Sequence, residues 1–152
     1  MGFFVKWVPI YTMSVEDFKD FYKTFNSVFP NTIAFANIKE DEDTPVKFGT
    51  SEIILIGSKN KIEINREKFN LNYDSLPSES KDYLDAIRLG SGDEIFHLFL
   101  FDNKNMQGYA DNARLIMDDK PILEFSTAKN VLNQNPKAVI DDINNFLEKD
   151  VG

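Results

Sequence analysis

Adjacent carboxylates are the first residues in this chain with chemistry to offer. Asp118-Asp119 precede Lys120-Pro121, and Glu124 follows close behind. Carboxylates gathered in space can hold a divalent cation or an ammonium group, and their mutual repulsion raises one pKa into a range suited to acid-base work. The plainer reading is a surface turn, because Asp and Pro are both favoured turn residues, and locally the turn is the better expectation. Asp41-Glu42-Asp43 reads in the same spirit as a solvated charge run.

His97 is the single histidine of the chain, flanked by Phe96 and Leu98. An imidazole inside an apolar run is ordinarily a packed, hydrogen-bonded core residue. With no cysteine and no second histidine, a zinc site would have to be built from carboxylates. No Gly-x-Ser-x-Gly elbow is present to supply a nucleophile for a histidine base. Gly90-Ser91-Gly92-Asp93 resembles the opening of a dinucleotide fingerprint, but a helical pattern precedes it where the fingerprint needs a strand. The glycines therefore read as the end of one helix and the release into the next. Trp7 and Tyr11 straddle the end of the first strand. Ligands of open α/β sheets gather outside the carboxyl ends of strands, so these rings could line a pocket or simply pack in the core.

The elements that must position these residues follow from periodicity and punctuation. Gly2 to Val8 is a β-rich apolar run halted by Pro9, expected as a largely buried strand. Ser14 caps a helix whose Asp17 completes an acidic capping box. Val15, Phe18, Phe21, Tyr22, Phe25, Val28 and Phe29 mark one face, and Pro30 ends it. Strands are expected over 32–36 and 52–57, separated by an exposed loop over 37–50. After residue 61 the pattern turns helical. Tyr83, Leu84 and Ile87 mark an amphipathic helix ended by Gly90, the apolar run 94–101 leans to helix, and 103–109 is a short helix. Pro136, at a first helical position capped by Asn135, opens a terminal helix with Val139, Ile140, Ile143, Phe146 and Leu147 on one side. The fold class is thus α/β, a partial sheet of about three strands over residues 1–72 followed by a helical extension over 73–152, the two packed as one compact unit. Asn, Asp, Ser and Pro cluster near the junction at 70–78.

At 152 residues, with 42% hydrophobic and 28% charged residues, the chain sits near the globular norm and excludes a disordered or low-complexity polymer. Fourteen Phe give an aromatic-heavy core, each large ring burying ~150–250 Å². Twenty-five acidic residues against 17 Lys and Arg leave a net charge of −8, a field that repels phosphate backbones and anionic membranes while suiting polycations such as polyamines. Zero cysteines exclude disulfides, thiolate metal sites and a Cys nucleophile, and a reducing, cytoplasmic setting is the default expectation. No apolar run approaches the roughly 18–20 residues of a membrane span, and the N-terminus has no signal-peptide pattern.

Several phrases combine into a likeness. Phe4-Val5-Lys6-Trp7-Val8-Pro9-Ile10-Tyr11, Thr24-Phe25-Asn26-Ser27-Val28-Phe29-Pro30, Glu52-Ile53-Ile54-Leu55-Ile56-Gly57-Ser58 and Asp118-Asp119-Lys120-Pro121-Ile122-Leu123-Glu124-Phe125 occur in an order and spacing that resembles the C-terminal part of spermidine synthase-like proteins. The likeness is to the longer, often membrane-fused members, which carry a similar Asp-Asp-Arg-Pro-x-Leu-Glu-Phe phrase. It implies a methyltransferase-like, doubly wound sheet. Residues 3–8 would be its fifth strand, 14–29 the following helix, and 32–36 and 51–57 the sixth and seventh, the seventh antiparallel and lying between the other two. The family transfers an aminopropyl group from decarboxylated S-adenosylmethionine to a polyamine. Its glycine-rich loop, acidic ribose ligand and catalytic aspartate stand upstream of the fifth strand, where this sequence opens. No catalytic, cofactor-binding or metal residue is therefore transferred, and no cofactor is expected.

Lys6 replaces a common Gln, which sets a cation beside any polyamine pocket. The resemblance implies a module that is not catalytic alone, with Trp7, Tyr11 and the 37–50 loop on the acceptor side of a split aminopropyltransferase and Asp118 and Asp119 as further substrate-binding residues. The partner would be a separate chain carrying the nucleotide-binding half, or a second copy in a homo-oligomer. The alternative is a stand-alone oligomeric interaction domain without polyamine chemistry. An enzyme using Asp118, Asp119 and Glu124 on a metal is the weakest expectation. In each case the first strand is left as a sticky edge.

Overall fold

The computed structural model describes residues 2–36, 52–117 and 136–149. Strand β1 (Phe4–Pro9) ends in a single 3₁₀ turn (Ile10–Thr12), and helix α1 (Val15–Val28) follows. The capping box read from the sequence is formed. The Asp17 backbone N–H donates to Ser14 Oγ at 3.1 Å, and the Ser14 N–H donates to Asp17 Oδ2 at 3.2 Å. Two otherwise orphaned donors are satisfied, and Glu16 and Asp17 complement the helix dipole. Phe18, Tyr22 and Phe25 recur at helical spacing and are buried.

Strands β2 (Asn31–Ala36), β3 (Glu52–Ser58) and β4 (Phe99–Asp102) complete a four-stranded sheet in the order β1-β3-β2-β4, antiparallel at every neighbouring pair. Because β3 runs against both β1 and β2, those two are parallel, with α1 as their crossover. The count of about three strands is corrected to four. The additional strand comes from the segment expected to be helical: the run 94–101 divides into a short helix and β4 rather than forming one helix. Backbone pairing decided this, since β2 would otherwise expose its outer ladder. Phe101 pairs with Ala34 and is fully buried, and Phe99 pairs with Phe35 across a bulge. Residues 103–109 form consecutive turns rather than the expected helix.

Helix α2 (Arg66–Asp74), α3 (Ser78–Ala86), α4 (Gly92–Phe96) and the terminal α5 (Pro136–Lys149) complete the described residues. Strand alternation sorts the sheet into two faces. On one, Val8, Ile53, Leu55, Ala34, Ala36 and Phe101 meet Phe18, Tyr22 and Phe25 of α1 and Val139, Ile140 and Ile143 of α5. On the other, α2 and α4 cover the β2-β4 end through a ring cluster of Phe35, Phe69, Phe96 and Phe99, with centroids 5.8–6.3 Å apart. Helix α3 buries no residue of its own. Tyr83 and Ile87, expected on its inner face, are exposed. It ends with Arg88 at φ 62° rather than at Gly90.

Candidate interaction site at the open edge of β1

Nothing among the described residues pairs with the outer side of β1, so it is one edge of the sheet. Its row of backbone N–H and C=O groups is a template for another strand. Pleating sends Phe4, Lys6 and Val8 toward α1, where Phe4 stacks on Phe29 with centroids 5.2 Å apart. Phe3, Val5 and Trp7 point to the opposite face, where α2 and α4 do not reach.

Those three residues are 57%, 61% and 50% exposed, and Ile54, paired with Trp7 from β3, is 42% exposed. The first strand was expected to be largely buried; it is instead the most exposed strand of the sheet. An apolar run reads as buried on both faces, but among the described residues a covering layer exists at β1 on one face only. Lys6, exposed on the α1 side, is the only charge on β1.

The ring of Tyr11 is half-buried in the 3₁₀ turn that follows, where Thr12 Oγ1 donates to the Pro9 carbonyl at 3.0 Å. Trp7 and Tyr11 thus stand at the same end of β1, Trp7 on the strand and Tyr11 past its carboxyl end. Asp118, Asp119 and Glu124 lie outside the described residues, as do Asp41-Glu42-Asp43 and the expected cap Asn135, so the acidic pair is not brought to the aromatic end by anything described.

His97 is not the packed core residue expected of it. It caps the C-terminus of α4 and is exposed, because the break between α4 and β4 turns it outward. The Gly90–Asp93 stretch belongs to a helix-helix contact. The Ser91 hydroxyl accepts from the Glu94 N–H at 3.1 Å. A Cβ on Gly92 would stand 2.7 Å from the Asn70 Cα, so only glycine lets α4 approach α2 this closely. Asp93 accepts from Arg66 Nε at 2.8 Å and Asn70 Nδ2 at 3.0 Å, and these bonds, Arg66 foremost, hold its carboxyl down at about 2.

Sequence inspection also missed a strap across α1. Asp20, 4% exposed, accepts from the Arg114 backbone N–H at 2.7 Å and from its Nε and Nη2 at 2.9 and 2.6 Å. Lys23 Nζ donates to the carbonyls of Asp111 and Ala113 at 2.8 Å each, and the Ile116 N–H donates to Thr24 Oγ1 at 2.8 Å. The only hint in the sequence was an Asp on the otherwise apolar side of a helix. Beside it, Asp142 accepts from the Tyr109 hydroxyl at 2.8 Å and pairs with Lys19 at 3.0 Å. Burial and then the Asp142 bond push the Tyr109 phenol well above its usual range, which suits it to donating rather than ionising.

Among the described residues no three His, Asp or Glu side chains gather as a metal site, and no helix is long and apolar enough to cross a membrane. No protein-family model, curated protein or solved structure matches the chain.

Proposed function

We propose that this chain is an interaction module whose working surface is the open edge of β1 together with the apolar strip formed by Phe3, Val5, Trp7 and Ile54. The observation that carries the reading is the coincidence of a strand edge unpaired among the described residues with large side chains, of which Phe3, Val5 and Trp7 are half or more exposed. Either feature alone is common, since single apolar residues on a surface need no explanation. Together they offer main-chain hydrogen bonds for affinity and alternate side chains for specificity, which is how an added strand is recognised.

A photo-crosslinking residue at position 5, with one at exposed Ser27 as control, tests this in the producing cells. Adducts at position 5 and not at 27 are expected; an absence of adducts of any mass at position 5 would refute the reading.

A second reading is favoured by the strand order. β1-β3-β2, with β3 antiparallel between parallel outer strands and α1 crossing over, agrees with what the likeness to spermidine synthase-like proteins implies for their fifth, seventh and sixth strands. The order is a property of the fold, and its bearing on polyamine chemistry comes from the sequence phrases alone. Under this reading the neighbour is the nucleotide-binding half of an aminopropyltransferase. Trp7, Tyr11, Asp118 and Asp119 then serve the acceptor amine, the rings by cation–π contact and the carboxylates by charge. Calorimetry separates the two: spermidine affinity lost in Trp7→Ala and Asp118→Asn supports the transferase reading, and heat indistinguishable from dilution removes it.

A further inference from the structure

We infer that the outer face of α3 docks a cationic amphipathic helix of another polypeptide, at a surface separate from the edge of β1. Glu79, Asp82, Tyr83 and Ala86 recur along α3 at i, i+3, i+4 and i+7, and the cap residue Ile87 continues the row at i+8. All five are exposed, Tyr83 at 73% and Ile87 at 66%. The less exposed side carries Ser80, Lys81 and Leu84, each only partly buried.

Helices this short are marginal alone, and in proteins they are held mostly by burying their apolar stripe. Helix α3 does the reverse. It buries no residue, its N-cap Pro77 makes no side-chain cap bond, and it ends on Arg88 at φ 62°, a conformation uncommon for any residue but glycine. A short, uncapped helix that turns its tyrosine and isoleucine to water has the anchor spacing by which helices are recognised.

Charge names the occupant. Lys81, the one basic residue of α3, is drawn off the stripe: its Nζ donates to the Asp74 carbonyl at 2.7 Å and lies over the Tyr73 ring. Glu79 and Asp82 enter no ion pair among the described residues. Burial foremost, and then the carboxylates of Asp85, Glu94, Asp74 and Asp82, push the Tyr73 phenol upward, so the field around α3 is negative.

Such a face repels phosphate backbones and anionic membrane surfaces. A second copy would set acid against acid. The complement is a helix with apolar residues for Tyr83 and Ile87 and with Lys or Arg for Glu79 and Asp82, and the small side chain of Ala86 lets it approach closely. Helix α3 is about 13 Å long, so the contact falls short of the about 1,000 Å² of a stable complex and its affinity should be micromolar.

Three synthetic peptides test this on the purified chain, each about 15 residues long, the length at which an isolated helix begins to hold. They share one row of Leu at helical spacing and carry Lys, Ser or Glu at the flanking positions. In NMR titration the Lys peptide should shift the amides of residues 79–87, the Glu peptide should leave them in place, and added salt should weaken the Lys peptide several-fold.

Because α3 buries no residue, substitutions on its outer face leave the core intact. Tyr83→Ala should lower affinity for the Lys peptide on the order of tenfold. Glu79→Lys combined with Asp82→Lys should abolish binding of the Lys peptide and admit the Glu peptide, a reversal that a structural role would not produce. Trp7→Ala should change neither. Equal binding of all three peptides, shifts confined to β1, or no shift in α3 at millimolar peptide would overturn the inference, and none of these alters what crosslinking at position 5 reports.

Discussion

Asp20 shows how a single buried charge is held in this protein. Its carboxylate has almost no contact with water, and it accepts three bonds from Arg114, whose own side chain is 61% exposed. Charge-assisted hydrogen bonds of this kind contribute more than neutral ones, and removing one partner leaves the other unsatisfied. Asp20→Ala should cost about 2–3 kcal/mol in urea denaturation. The same variant should speed hydrogen exchange at the Arg114 amide, and unchanged exchange there would mean that Lys23 and Thr24 hold the strap without it.

Asp93 titrates the other way from most stability arguments that rest on histidine. Its carboxyl is depressed from 3.8 to about 2 by Arg66 and Asn70. A depressed carboxyl binds fewer protons folded than unfolded, so its contribution is fully present above the unfolded value and disappears as pH falls from about 4 toward 2. NMR titration should find its midpoint near 2, moving up toward the ordinary carboxylate range in Arg66→Ala. A midpoint that ignores the substitution would remove Arg66 as the cause.

At the scale of elements, helix caps and glycine contacts decide which parts are firm. Ser14→Ala deletes half of the capping box and should lower stability by about 1 kcal/mol. Gly92→Ala should be worse, because the added methyl meets the backbone of Asn70 rather than a flexible tip, and overpacking of this sort costs about 1–3 kcal/mol. Helix α3 lies at the opposite extreme. With no buried residue, it should be the first described helix to open in native-state hydrogen exchange, ahead of α1 and α5. Protection of α3 equal to that of α1 would contradict its placement.

For the molecule as a whole, the contacts of the core run across residue 72. Strand β4 pairs with β2, Phe101 meets Tyr22 edge-on at 5.5 Å, and Val139 and Ile143 of α5 are fully buried in the cluster that α1 anchors. A fragment ending at residue 72 loses all of these, leaving Tyr22 without Phe101 and Tyr109 and Ala34 without its β4 partner. Circular dichroism should show it largely unfolded, and the intact chain should unfold in one transition. A fragment with native strand signal would mean that the first three strands are self-sufficient.

Legibility in the sequence followed the range of the forces involved. Ser14, Asp17 and Pro30 marked α1 almost to the residue because caps and proline act within one turn. Three of the four strands were visible for the same reason, in apolar runs bounded by breakers. Local chemistry could say that Phe3, Val5 and Trp7 belong to a strand, but not that they face outward, because exposure depends on which helices settle on which face. It could not place Phe99 and Phe101 in a strand either, since a short apolar run becomes β only when a neighbouring edge accepts its hydrogen bonds. Composition and periodicity therefore sufficed for an acidic α/β chain with a capped first helix. Long-range packing chose the fourth strand, turned His97 to the surface, and left β1 at an edge of the sheet among the described residues, because burial is a relation between elements and not a property of any one of them.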